Sequence, residues 1–222
     1  MDDTEYLIRI QGGADRLIIV RYEPDPSLVG ETLAEVAARR GITPVEALVE
    51  FSLEGGTEDS PHGILFRAVA GHPFDVETFM TQEYTATSTD AGVSLTERPG
   101  LHPRYYGAFV RKIAHYAKAT GTISLPSAVR SGTSLPAEII GLPDRGLLRP
   151  GFRADLVVFD YDRLEDRATI LEPHRYPEGI EYVLVNGEFT VDGGRLTGAL
   201  PGRVLDRNEL RPDGASHATG SR

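Results

Sequence analysis

Apolar positions in the first half of the chain switch between short β-type runs and helical stripes. Tyr6-Leu7-Ile8-Arg9-Ile10 and Leu17-Ile18-Ile19-Val20 are β-rich, lie on either side of Gly12-Gly13, and both read as strands. Two helices with clear start signals follow. Thr32 and Glu35 have capping-box spacing ahead of a helix stopped by Gly41. Thr43 and Glu46 repeat it, with Pro44 at the first helical position, where its missing N–H costs nothing. Val45, Leu48 and Val49 give that second helix an apolar stripe. Residues 54–61 read as a polar loop, Ile64-Leu65-Phe66 as a short buried strand, and 74–81 as a short helix. The small-residue run Thr85-Ala86-Thr87-Ser88-Thr89-Asp90 reads as a strand ending at Asp90, and 91–104 as a loop rich in Gly, Pro and charge. A strong helix is expected over 105–119, burying Val110, Ile113, Ala114 and Ala117 and turning Arg111, Lys112, His115 and Lys118 to water; Gly121 ends it. Further helices are expected near 125–131 and 136–140, the second closed by Gly141.

After Pro150 the period changes to that of strands. Ala154 to Asp160 and Tyr182 to Val185 read as strands, and Asn186-Gly187 is a strong hairpin signal with its return strand at Glu188 to Val191. Asp192-Gly193-Gly194 marks another tight turn, and the polar chain from about 206 onward reads as a disordered tail. The layout is α/β: strand–helix units to about residue 145, then a small antiparallel β module. The first part is too short for a closed eight-unit barrel, which needs roughly 250 residues.

Charge narrows the partners. The chain has 222 residues with 23 Lys+Arg against 33 Asp+Glu, a net charge of −10. Such a chain repels phosphate backbones and anionic lipid, so neither nucleic acid nor a membrane surface is an expected partner. It has no cysteine, which excludes disulfides, thiolate metal sites and a cysteine nucleophile within these residues. The acidic start and the lack of any long apolar run lead to the expectation of a cytoplasmic protein.

None of the six histidines forms the His-x-His or His-Glu-x-x-His spacing that places two ligands on one metal. His115 and His217 read as ordinary surface residues. Asp90 is of interest by position, because α/β barrels place catalytic groups just past the C-terminal ends of strands; an Asp before Ala-Gly also suits a turn or cap. Arg104, in His102-Pro103-Arg104, can fork onto a substrate carboxylate with its planar paired donors, bridge a local acid, or cap a helix.

The stretch from Ala128-Val129-Arg130-Ser131 through Leu135-Pro136-Ala137-Glu138, with Gly141-Leu142 and Asp144-Arg145-Gly146, resembles the C-terminal part of the amidohydrolase superfamily. So do Pro150-Gly151-Phe152-Arg153-Ala154-Asp155-Leu156-Val157-Val158-Phe159-Asp160 and Val183-Leu184-Val185-Asn186-Gly187. The Asp90 turn and His102-Pro103-Arg104-Tyr105-Tyr106-Gly107 are most similar to N-acyl-D-amino-acid deacylases (D-aminoacylases), and the likeness runs over about residues 15–205. This resemblance implies a metal-dependent (β/α)8 TIM-type barrel with a small β-sandwich built from both chain ends. Residues 1–145 would be the last barrel units, 146–205 a β-sandwich segment and 206–222 a tail. It further implies zinc as cofactor and an N-acyl amino acid as substrate, with Asp90 as the proton-transferring carboxylate and a possible metal ligand. Arg104 and His102 would stand on the substrate side. The family's His-x-His pair and cysteine have no counterpart here, and Thr89-Asp90-Ala91-Gly92 replaces the commoner Ser-Asp-Gly. The expectation is a C-terminal half that is inactive alone and draws its metal ligands from a complementary N-terminal chain, or else a non-catalytic remnant serving as an interaction module.

Overall fold

A computed structural model describes residues 3–10, 12–55, 64–68, 72–94, 96–97 and 100–205. Most of the 54–61 loop, His62, His217 and the tail from 206 lie outside them. The elements in chain order are α1 (Asp3–Ile10), β1 (Leu17–Tyr22), α2 (Leu33–Arg40), α3 (Pro44–Gly55), β2 (Ile64–Ala68), α4 (Pro73–Met80), α5 (Arg104–Arg111), a π-helical stretch (Lys112–Ala119), α6 (Leu125–Gly132), α7 (Ser134–Ile140), β3 (Leu156–Phe159), β4 (Ile180–Val185), β5 (Glu188–Asp192) and β6 (Arg195–Leu196). The described strands form two antiparallel sheets, β1-β2 and β3-β4-β5-β6. Among the described residues, no helix is long and apolar enough to cross a membrane.

The chain divides into two compact units. The first holds residues up to Met80 with Thr89–Ala108 and Arg167–Tyr176. Its core is built from β1, α2 and α3, with Ile19, Leu33, Val36, Ala47 and Phe51 almost wholly buried. Thr32 accepts from Glu35 N while Glu35 accepts from Thr32 N, and Gly41 ends α2 at φ 70°. Thr43 and Glu46 make the same reciprocal pair ahead of α3. The buried face of α3 is Ala47 and Phe51 rather than the expected stripe; Leu48 is half-buried and Val49 exposed. Tyr22 packs edge-on against Phe51 at 5.0 Å and donates its hydroxyl to Glu54 Oε2 at 2.8 Å. Burial, reinforced by the Glu54 carboxylate, pushes the Tyr22 phenol up to about 12.

Residues 6–10, expected as a strand, belong to α1. A strand needs a neighbour to fill its ladder. This segment satisfies its backbone locally instead, closed by Gly12 N to Arg9 O and Gly13 N to Ile8 O, and packs Ile8 on the core.

The second unit holds Thr81–Ser88, Phe109–Asp166 and the chain from Pro177. Residues 85–90 carry no ladder, contrary to the strand expected there; Thr87 N donates instead to Ser131 O at 2.7 Å. The helix expected over 105–119 is α-helical to Arg111 and π-wound beyond it. That change of winding falls at Lys112, and the α period therefore misplaces it: Lys112 is buried, not turned to water.

The sheet of this unit follows the expected pattern. Asn186 at φ 51° and Gly187 at φ 85° make the two-residue turn between β4 and β5. Arg145 ties that turn down, pairing with Asp155 and donating to Asn186 Oδ1 at 2.8 Å, while Asn186 N donates to Asp155 Oδ1 at 2.8 Å.

Candidate functional site

The residues singled out from the sequence meet at the start of α5. His102 and Pro103 lie just before α5, whose first residue is Arg104, and Pro103 O accepts from Gly107 N at 3.0 Å. His102 Nδ1 accepts from Arg104 N at 3.1 Å, and His102 O accepts from Tyr105 N at 3.1 Å. The imidazole thus fills the place of a capping side chain, satisfying a donor that the helix cannot.

Arg104, at the first turn so fixed, places Nη2 2.8 Å from Asp90 Oδ2. Its Nε is buried and lacks a hydrogen-bond partner. An unpaired buried donor costs about 1–3 kcal/mol, a cost tolerated where a ligand supplies the acceptor. The Asp90 side chain is 86% exposed. Its backbone sits at φ 45°, in the left-handed region, which Asp tolerates better than most non-glycine residues and adopts in turns. Thr89 supports the turn by accepting from Ala91 N at 3.3 Å. The structure therefore brings Asp90, Arg104 and His102 together, with His102 acting on the backbone of Arg104.

Two groups escaped the sequence reading. Tyr106 pairs its hydroxyl with His174 Nδ1 at 3.2 Å and stacks edge-on against His174 and Tyr176, at 5.6 and 5.1 Å between centroids. Nothing in local spacing signals a contact spanning 68 residues. Lys112 is the other: desolvation holds its ammonium below the ordinary lysine range, and Nζ donates to Thr87 Oγ1 at 2.5 Å.

Asp90 by itself makes no metal site. Catalytic zinc takes three protein ligands. Among the described residues, no group of three His, Cys, Asp or Glu side chains stands close enough to hold an ion, and Asp90 is committed to a guanidinium.

A model of the amidohydrolase family matches residues 12–191. The chain is 38% identical over 194 residues to the D-aminoacylase of Alcaligenes xylosoxydans xylosoxydans, covering 87% of this chain and 37% of that one. A solved D-aminoacylase with a binuclear metal center superimposes with a TM-score of 0.69 at 34% identity, covering 89% of this chain and 39% of that chain. The N-acyl-D-glutamate deacylase from Bordetella bronchiseptica, solved with zinc and a phosphonate inhibitor, gives 0.61 at 33% identity, covering 82% and 35%. The chain thus spans 37% of the length of the curated relative.

Proposed function

Because this chain belongs to the amidohydrolase family, we propose that it forms the C-terminal part of an N-acyl-D-amino-acid deacylase. In this reading residues 1–145 are the last units of a (β/α)8 barrel and 146–205 a segment of its small β-sandwich. The adjacent Val157 and Val158 of β3 are both exposed, which suits a sheet covered on two faces in a longer assembly.

The observation that carries the proposal is the Asp90–Arg104 pair on its left-handed turn. The reaction cleaves the amide C–N bond. Water adds to the acyl carbonyl, Asp90 takes the water's proton and passes it to the departing amine, and a carboxylate and a free D-amino acid result. A positioned proton carrier of this kind contributes about 10²–10⁴-fold. Arg104, held against Asp90 through Nη2, stands on the substrate side as the cation for the substrate carboxylate. His102 serves the substrate side by fixing the turn that carries Arg104. No set of ligands for the relatives' metal is grouped among the described residues; in this reading a preceding segment or a complementary chain supplies them.

That same observation favours a second reading, a non-catalytic module of deacylase ancestry. Release of free D-amino acid from N-acetyl-D-amino acids separates the two. The assay uses the purified chain with zinc, alone and with an N-terminal complement bearing a His-x-His strand from a D-aminoacylase. Turnover with the complement alone supports the split deacylase. A bound but inactive complex establishes the module, and turnover by the chain alone overturns the need for outside ligands.

A further inference from the structure

Two polar residues are buried among the described residues, Lys112 at 6% and Ser131 at 7% exposure, and both close on Thr87. Lys112 Nζ donates to Thr87 Oγ1 at 2.5 Å. Thr87 N donates to Ser131 O at 2.7 Å, and the two hydroxyl oxygens lie 3.5 Å apart. Ser131 is itself anchored, donating Oγ to Ala128 O at 3.0 Å. Lys112 has no acidic partner among the described residues, and burying an ammonium without one is costly. A leucine or methionine would fill the position at no such cost. The π winding begins at Lys112, the kind of local irregularity found where a side chain is redirected for a purpose. The target of that redirection is a stretch with no ladder of its own, and Asp90 follows Thr87 by three residues.

We propose that Lys112 is a positioning residue: by clamping Thr87 beside Ser131 it fixes residues 85–88, the run from which the chain enters the turn of Thr89 and Asp90. This rests on the reading of Asp90 as the proton-transferring carboxylate. Asp90 follows Thr87 by three residues along the chain, so a loosened clamp is expected to reach the turn through the backbone.

Amide spectra of the isotopically labelled full chain test the clamp without substrate or metal. Lys112→Met is expected to shift and broaden the signals of 85–90 while leaving those of β3 to β6 in place. Thr87→Val, which removes one hydroxyl and keeps the shape, is expected to reproduce that pattern, and the double variant to add nothing further. Melting temperature is expected to hold or rise in Lys112→Met, since a buried charge is gone. In the complemented enzyme both variants lower kcat about tenfold with KM unchanged, as a misplaced proton carrier requires. Signals of 85–90 that superimpose on the wild type in Thr87→Val overturn the clamp, even if Lys112→Met fails to fold. A rise in KM at constant kcat overturns it too. An Asp90→Asn variant that retains turnover would remove the deacylase role of Asp90 and leave the spectral result standing, so the two failures are distinguishable.

Discussion

Two helices, α4 and α5, are each entered through the same dipeptide. His72-Pro73 leads into α4 (Pro73–Met80) and His102-Pro103 into α5 (Arg104–Arg111), and each imidazole Nδ1 accepts the N–H of the residue after proline, at 3.2 Å from Phe74 and 3.1 Å from Arg104. Each histidine carbonyl then accepts the next amide, at 2.9 Å from Asp75 and 3.1 Å from Tyr105. The imidazole contacts are alike, but Pro73 is the first residue of α4 while Pro103 lies just before α5, and the surroundings differ further. α4 buries none of its residues, and Phe74 is 68% exposed. α5 buries Gly107 and directs Arg104 onto Asp90. The lesson is that His-Pro marks a capped helix start; the chemistry comes from the third residue and from what the fold brings to meet it.

The comparison breaks most sharply at Asp90. Asp90→Asn is expected to lower kcat of the complemented enzyme by about 10²–10⁴-fold with the amide spectrum of the first unit preserved; turnover near wild type would remove it from the mechanism. Next is the third residue. Arg104→Lys, which keeps charge and loses the planar fork, is expected to raise KM about tenfold, whereas Phe74→Leu at the matching position leaves it unchanged. Equal effects of the two would erase the distinction between the helices. Smaller is the loss of the caps themselves: His72→Ala and His102→Ala should each cost about 1 kcal/mol, roughly 2–4 °C in melting temperature. The second should also raise KM, because it frees the backbone of Arg104.

The least effect is expected from acid, and it separates the imidazole caps from the carboxylate caps of α2 and α3. The Thr32 and Thr43 donors hold Glu35 and Glu46 below their ordinary value of 4.5. A carboxylate depressed by folding stabilises above its unfolded value and loses that contribution as pH falls through the folded one. Stability is therefore expected to decline below about pH 4.5, and Glu35→Gln with Glu46→Gln should flatten the decline. An unchanged slope in the double variant, read by thermal melts across pH, would show that other carboxylates carry it.

The caps of α2 and α3, the glycine stops and the Asn186-Gly187 turn were legible in the sequence because each is settled within a few residues, by hydrogen bonds and φ angles that neighbours impose. Asp90, Arg104 and His102 were legible as candidates because they sit in a recognisable motif. Segments whose partners are distant were not. Residues 6–10 have strand-like composition and fold as α1, since a strand without a neighbour leaves its amides unsatisfied. Residues 85–90 have the composition of a strand and join neither described sheet.

What the sequence determined by itself, then, is the local grammar: helix starts, turns, the hairpin, the acidic charge and the absence of thiolate ligands. What only the tertiary structure decided is which side chains face one another. Lys112 was placed in water by its helical period, and the π winding and Thr87 put it inside. Tyr106 met His174 across 68 residues, and Arg104 paired with an acid, Asp90. Such pairings depend on loop closure and packing, free energies summed over the whole chain, which short windows of sequence do not contain.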